Sequence, residues 1–314
     1  MSLPAALGAL GLPLLRAEPF VVCPSCGMGL AAGHDLLEKY FDGDQLRCGQ
    51  CANDTSAWSA AIATINHPVP FLHDSISSLI GFKSVFFQIA LAPSQTTVLK
   101  LAEHGVPVGS RLIRRNYTPM GTSVMPVELH GNDVLVRRRQ DEIVLYGRPF
   151  DPASPAGTNE LNSPAQISVN ITYAEPRQPD EYALDALGRA FSALMLNELE
   201  DMVIPATVGV ELTCKRLLTD FSAVIGTSGA GVKDKDLLTQ VVPLIASAVG
   251  VAPLEAEVCH KISRLWGQRD LMAHKGHLHA PYLRENAGAQ LVAAIFAFRY
   301  LTLLRDRGVR KGII

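Results

Sequence analysis

The chain has 314 residues, 48% of them hydrophobic and 18% charged, with a formal net charge of −2. That length allows two or three domains that each bury a core, and the composition excludes a disordered chain or a linker. A charge so near zero also excludes global electrostatic steering toward nucleic acid, so any RNA contact must come from local patches.

Residues 1–19 are predicted to form an apolar arm. They lack a basic leading region, carry Pro4 and Pro13, and hold an apolar run too short to cross a bilayer. Elsewhere a charge, Pro or Gly interrupts every stretch of membrane-spanning length, which predicts a soluble, cytoplasmic protein with no membrane partner.

Residues 20–65 hold Cys23-Pro24-Ser25-Cys26 and Cys48-Gly49-Gln50-Cys51, separated by 21 residues. Each CxxC knuckle aims two thiolates at one centre, and four thiolates close the tetrahedral sphere of structural zinc. The pattern resembles a zinc ribbon and predicts one structural Zn2+ per chain on Cys23, Cys26, Cys48 and Cys51, with no coordination position left open for catalysis. An iron–sulfur cluster or two redox pairs are the rival readings, and the closed set with Gly27 and Gly49 argues for zinc. His34 lies between the knuckles but is not needed as a ligand. Cys214 and Cys259 stand alone in apolar helical stretches and are expected to be buried thiols.

Residues 66–176 read as strand. Runs rich in Val, Ile, Phe and Tyr occupy Ser84–Leu91, Thr96–Leu101, Ser110–Tyr117, Ser123–Leu129, Val134–Arg138, Glu142–Tyr146 and Gln166–Tyr173. A turn is predicted at His130-Gly131-Asn132-Asp133, and a Pro-, Ser-, Gly- and Asn-rich loop between Phe150 and Pro164. Seven short strands predict an antiparallel β-sandwich or partly open barrel. Two basic clusters, Arg111 to Arg115 and Arg137 to Arg139, offer phosphate contacts beside Tyr117 or Tyr146. The plainer reading is a solvated face opposed by Glu128, Asp141 and Glu142.

Residues 177–314 read as helix. Apolar positions spaced by three and four predict a helix over Asp180–Val203, ended or kinked by Pro205, then Val208–Val224, a glycine-rich loop, Asp236–Val249, Leu254–Ala273 and Tyr282 to Leu304. The whole is a multidomain α+β chain whose C-terminal part is an α-helical bundle.

The fourth of those helices carries Arg269, Asp270 and His274. Arginine presents a permanently charged fork of donors suited to phosphate, and histidine moves a proton near neutral pH, so the trio suggests phosphodiester chemistry. The run, set late in a helical bundle, resembles the signature of the HEPN superfamily. The resemblance implies a metal-independent endoribonuclease acting as a homodimer, of a kind associated with prokaryotic defence and toxin systems, with an RNA substrate and a protein trigger. It implies His274 as general acid or base, Arg269 as stabiliser of the phosphate charge, and Asp270 as an orienting group. In an ideal helix residues five apart differ by about 140°, so the two side chains share no face unless the helix loosens near His274 or a second copy completes the site. Two other readings stand beside catalysis. Arg269 continues the apolar stripe of Val258, Ile262 and Leu265, so it would ion-pair with a buried acid such as Glu198, Glu200 or Glu211. The bundle would then be an inactive dimeriser whose ribbon and β-domain bind protein or nucleic acid. A Walker A loop, a dinucleotide fingerprint and a nucleophile elbow are all absent from the sequence, which disfavours a common metabolic enzyme.

Overall fold

A computed structural model describes residues 20–31, 35–68, 70–120, 124–129, 141–149, 164–176, 180–226, 236–279 and 281–314. It is a mixed α+β structure that divides into two compact units, one containing Phe82–Gln178 and the other joining Glu18–Gly81 to Pro179–Ile314. The cysteine segment, expected over 20–65 as a module of its own, therefore shares a core with the C-terminal helices. A segment that short cannot bury enough apolar surface alone.

In that segment β1 (Phe20–Val22) pairs antiparallel with β2 (Gly29–Ala31), α1 (Leu36–Phe41) follows, and β3 (Leu46–Arg47) pairs with β4 (Asp54–Thr55). Next come α2 (Ala57–Ile65) and α3 (Pro70–Ile80). Ser56 starts α2 by accepting from the Ser59 amide at 3.1 Å. The Val22 amide donates to Thr64 Oγ1 at 2.8 Å, which ties β1 to α2. Because Ile76, Leu79 and Ile80 of α3 are buried, the helical unit extends to Gly81, past the boundary at 66 that the sequence suggests.

The strand unit holds β5 (Lys83–Leu91), β6 (Thr96–Lys100), β7 (Arg111–Pro119), β8 (Val124–Glu128), β9 (Glu142–Pro149) and β10 (Ala165–Ala174). They form two three-stranded antiparallel sheets, ordered β5-β10-β7 and β6-β9-β8. Alternation on β10 puts Ile167, Val169, Ile171 and Tyr173 into one apolar cluster with Leu99, Val124, Ile143 and Leu145 from the other sheet. At Gly147 an added Cβ would stand 2.1 Å from the Ala92 carbonyl oxygen, so only glycine fits that crossing. The predicted strand Val134–Arg138, the turn at His130–Asp133, the cluster Arg137–Arg139, the arm 1–19, His34 and most of the loop after Phe150 lie outside the described residues.

The helices of the second unit continue as α4 (Glu181–Met195), α5 (Leu199–Asp220), α6 (Ser222–Ile225), α7 (Leu237–Gln240), α8 (Val242–Val249), α9 (Ala256–Lys275) and α10 (Arg284–Arg310). Pro205 does not end a helix. The break falls earlier, at Leu196–Glu198, where Asn197 adopts a left-handed φ of 61°, and Pro205 sits inside α5. A proline at 205 deprives the Asp201 carbonyl of its helical donor, and Asp201 is exposed, so water can take that place. Close packing holds α5 against α4, since a Cβ on Gly209 would stand 2.8 Å from Leu187 Cγ.

α10 is the centre of this unit. Among the described residues it is the one helix long and apolar enough to cross a membrane, and 89% of its apolar window is buried, the pattern of a core helix. Its Phe296 and Tyr300 meet the N-terminal segment through ring pairs Trp58–Phe296 at 5.3 Å, Tyr40–Phe296 at 5.2 Å and Phe41–Tyr300 at 5.2 Å. Arg307 donates to both Asp42 oxygens at 2.7 and 2.9 Å, closing the same contact at its rim.

Candidate functional site

Two sites predicted from the sequence lie in the helical unit. The first is the cysteine cluster. In each knuckle the chain turns through the same pair of backbone bonds. The Cys23 amide donates to the Met28 carbonyl at 2.8 Å and the Gly27 amide to the Cys23 carbonyl at 2.9 Å. In the second knuckle the Cys48 amide donates to Asn53 and the Ala52 amide to Cys48, both at 2.9 Å. The turn requires positive φ four residues after its first cysteine, supplied by Gly27 at 74° and by Ala52 at 58°.

The two hairpins bring all four Sγ atoms within 4.8 Å of one another. Cys23 Sγ lies 3.8 Å from Cys51 Sγ, and Cys26 Sγ 3.6 Å from Cys48 Sγ. Four thiolates about 2.3 Å from a tetrahedral zinc stand about 3.8 Å apart, so the residues fit such an ion. Amides of Cys51 and Gln50 point at the Cys48 sulfur and draw its thiol down to about 6, toward the thiolate that a metal needs.

The second site is built where α5 and α9 pack. Arg269 Nη2 lies 2.8 Å from Glu211 Oε1, and Trp266 Nε1 donates to the same oxygen at 2.9 Å. Of the three acids offered by the sequence, the structure selects Glu211. Arg269 Nε also stands 3.2 Å from Asp270 Oδ1, in ion-pair range but too oblique for a hydrogen bond. The Arg269 side chain stays 32% exposed and Glu211 13%, so the guanidinium is pinned from below with an edge open to solvent.

His274 does not join this cluster. α9 continues through Lys275 and closes at Gly276, whose φ of 70° is the left-handed cap. The helix therefore does not loosen at His274, and the ring stays exposed on a different face from Arg269. Among the described residues no hydrogen bond or ion pair joins His274 to Arg269, Asp270 or Glu211. The chain folds back after the cap, with the His279 amide donating to Gln268 Oε1 at 2.9 Å. Trp266 and Gln268 were not legible as site residues. An indole in the buried stripe looks like core until a carboxylate is seen beneath its N–H.

The strand unit's visible basic cluster is engaged internally. Arg115 forms an ion pair with Glu128, and the Tyr117 hydroxyl donates to the other Glu128 oxygen at 2.8 Å. Cys214 is buried, as expected, whereas Cys259 is half-buried and lines a cavity of about 410 Å³ beside Leu238, Val242 and Leu254; burial raises its thiol pKa.

No family model, characterised protein or solved structure matches this chain.

Proposed function

We propose that the helical unit is a HEPN-like endoribonuclease module acting as a dimer, stapled by one structural zinc. The observation that carries this reading is the Arg269–Asp270–His274 run at the solvent-facing end of α9, with its guanidinium held in place by Glu211. A pinned Arg269 can meet a phosphate without first ordering itself. An exposed His274 can take a proton from a ribose 2′-OH or return one to a leaving oxygen. Because the two point apart within one chain, His274 of one copy has to work with Arg269 of another. The four-thiolate centre leaves a bound zinc no open position, so its role is to hold the hairpins that flank α1 and lead into α2, the two helices whose rings pack on α10. The association with prokaryotic defence and a protein trigger follows from the resemblance alone.

A second reading is favoured by one observation: Glu211 and Asp270 already compensate the charge of Arg269. On that reading the unit is an inactive dimeriser and the rest of the chain binds protein or nucleic acid. Purified protein incubated with single-stranded RNA and no added divalent metal separates the two. Cleavage leaving 2′,3′-cyclic phosphate ends, reduced about a hundredfold or more by His274→Ala with unchanged melting, supports the nuclease. Equal RNA integrity with wild type and His274→Ala refutes it.

A further inference from the structure

The sheet β6-β9-β8 turns one face to the core of the strand unit and leaves the other apolar in solvent. Ile143 and Leu145 of β9 are buried in that core, so alternation puts Glu142, Val144, Tyr146 and Arg148 on the opposite face. Residues opposed across an antiparallel ladder share a face. Val98 therefore stands in a row with Val144 and with Leu129, whose amide donates to the Val144 carbonyl at 2.9 Å, and Val127 stands in the next row with Tyr146. Val98 is 52% exposed and Leu129 46%, and Met125, opposite Arg148, is 47% exposed. Single exposed apolar residues are ordinary, but a contiguous patch across three strands marks a contact surface.

The charges on β9 say what covers it. Along this strand the outer face reads acidic, apolar, apolar, basic. Glu142 and Arg148 are both exposed, and among the described residues neither forms an ion pair, Glu142 with Lys100 opposite it on β6 included.

We infer that this face seats the same face of a second copy, sheet on sheet, about a two-fold axis that crosses β9 at the level of Leu145. That operation sets Glu142 over the partner's Arg148 and Val144 over the partner's Tyr146. An axis along the strands would instead oppose each of these charges to its own copy, so the charges select the orientation as well as the occupant. Packed sheets hold their strands within about 30° of each other, an offset that the long Glu142 and Arg148 side chains span. From Glu142 to Arg148 the face measures about 14 by 24 Å, so two copies cover on the order of 700 Å² or more, the range of weak and reversible association. The contact uses no residue of the Arg269 cluster and holds whether or not the helical unit cleaves RNA.

Sedimentation of the full chain across a concentration series tests this. Whatever its mass at about 5 μM, the wild type is expected to gain mass about twofold by about 200 μM, and Val98→Glu to lose that gain with unchanged melting. Glu142→Arg and Arg148→Glu, both at exposed positions, should each weaken the association about tenfold or more. A one-to-one mixture of the two variants should recover it, because each mixed pair sets two arginines over two glutamates, and both changes in one chain should recover it as well. A wild-type mass that does not rise with concentration, a rise indifferent to Val98→Glu, or a mixture no better than its two components overturns the interface. A rise that is lost in Val98→Glu and untouched by both charge variants overturns the two-fold arrangement.

Discussion

Replacing Glu211 by alanine removes the acceptor beneath two donors at once. One oxygen takes the Arg269 Nη2 contact at 2.8 Å and the Trp266 Nε1 bond at 2.9 Å. Each hydrogen bond to a charged group contributes about 1.5–3 kcal/mol when buried. Arg269 is a third exposed, so water rehydrates much of its charge and its share falls toward that of a surface pair. Trp266 is 2% exposed, and its N–H would face apolar neighbours with nothing to bond. Together these give a destabilisation of about 2–3 kcal/mol, or roughly 5–10 °C in melting temperature for a unit of this size. Glu211→Gln keeps an acceptor for the indole and loses only the charge, so it should cost about 1 kcal/mol. Thermal melting followed by helical circular dichroism reads both, and a double-mutant cycle with Arg269→Ala isolates the ion pair. A change under about 1 °C for Glu211→Ala, or a larger loss for glutamine than for alanine, would refute the reasoning.

Zinc removal should reach beyond the knuckles, because Tyr40, Phe41 and Trp58 pack on Phe296 and Tyr300 of α10. Elemental analysis is expected to find one zinc per chain. Strong chelation should lower the melting of the helical unit, and a melt unmoved by loss of metal would separate the knuckles from the core. Gly308→Ala should cost about 1–3 kcal/mol in the same melt, since its Cβ would stand 2.3 Å from Cζ of the fully buried Phe221. His104 stacks on Phe87 with centroids 3.8 Å apart, and burial lowers its pKa from the usual histidine value, so the folded strand unit prefers the neutral ring. That contribution is present above about pH 6.5 and lost as pH falls through the lowered folded pKa. The strand unit should therefore melt lower at acid pH, and His104→Phe should remove that part of the pH dependence.

Local patterns were legible in the sequence wherever nearest neighbours along the chain decide the outcome. Alternating residues set the β10 face and CxxC spacing set each knuckle, because side-chain period and a short turn need only a few consecutive residues. The same locality misled at Pro205, where the lost hydrogen bond is a local cost, but the packing of α5 on α4, where Gly209 meets Leu187, is not visible in a window of residues. Only the tertiary structure could decide that the cysteine hairpins share a core with α10, that Glu211 and neither Glu198 nor Glu200 takes Arg269, and that His274 faces away from it. Each of these depends on which helix lies against which, and that is fixed by the burial of α10 as a whole and not by any motif it carries.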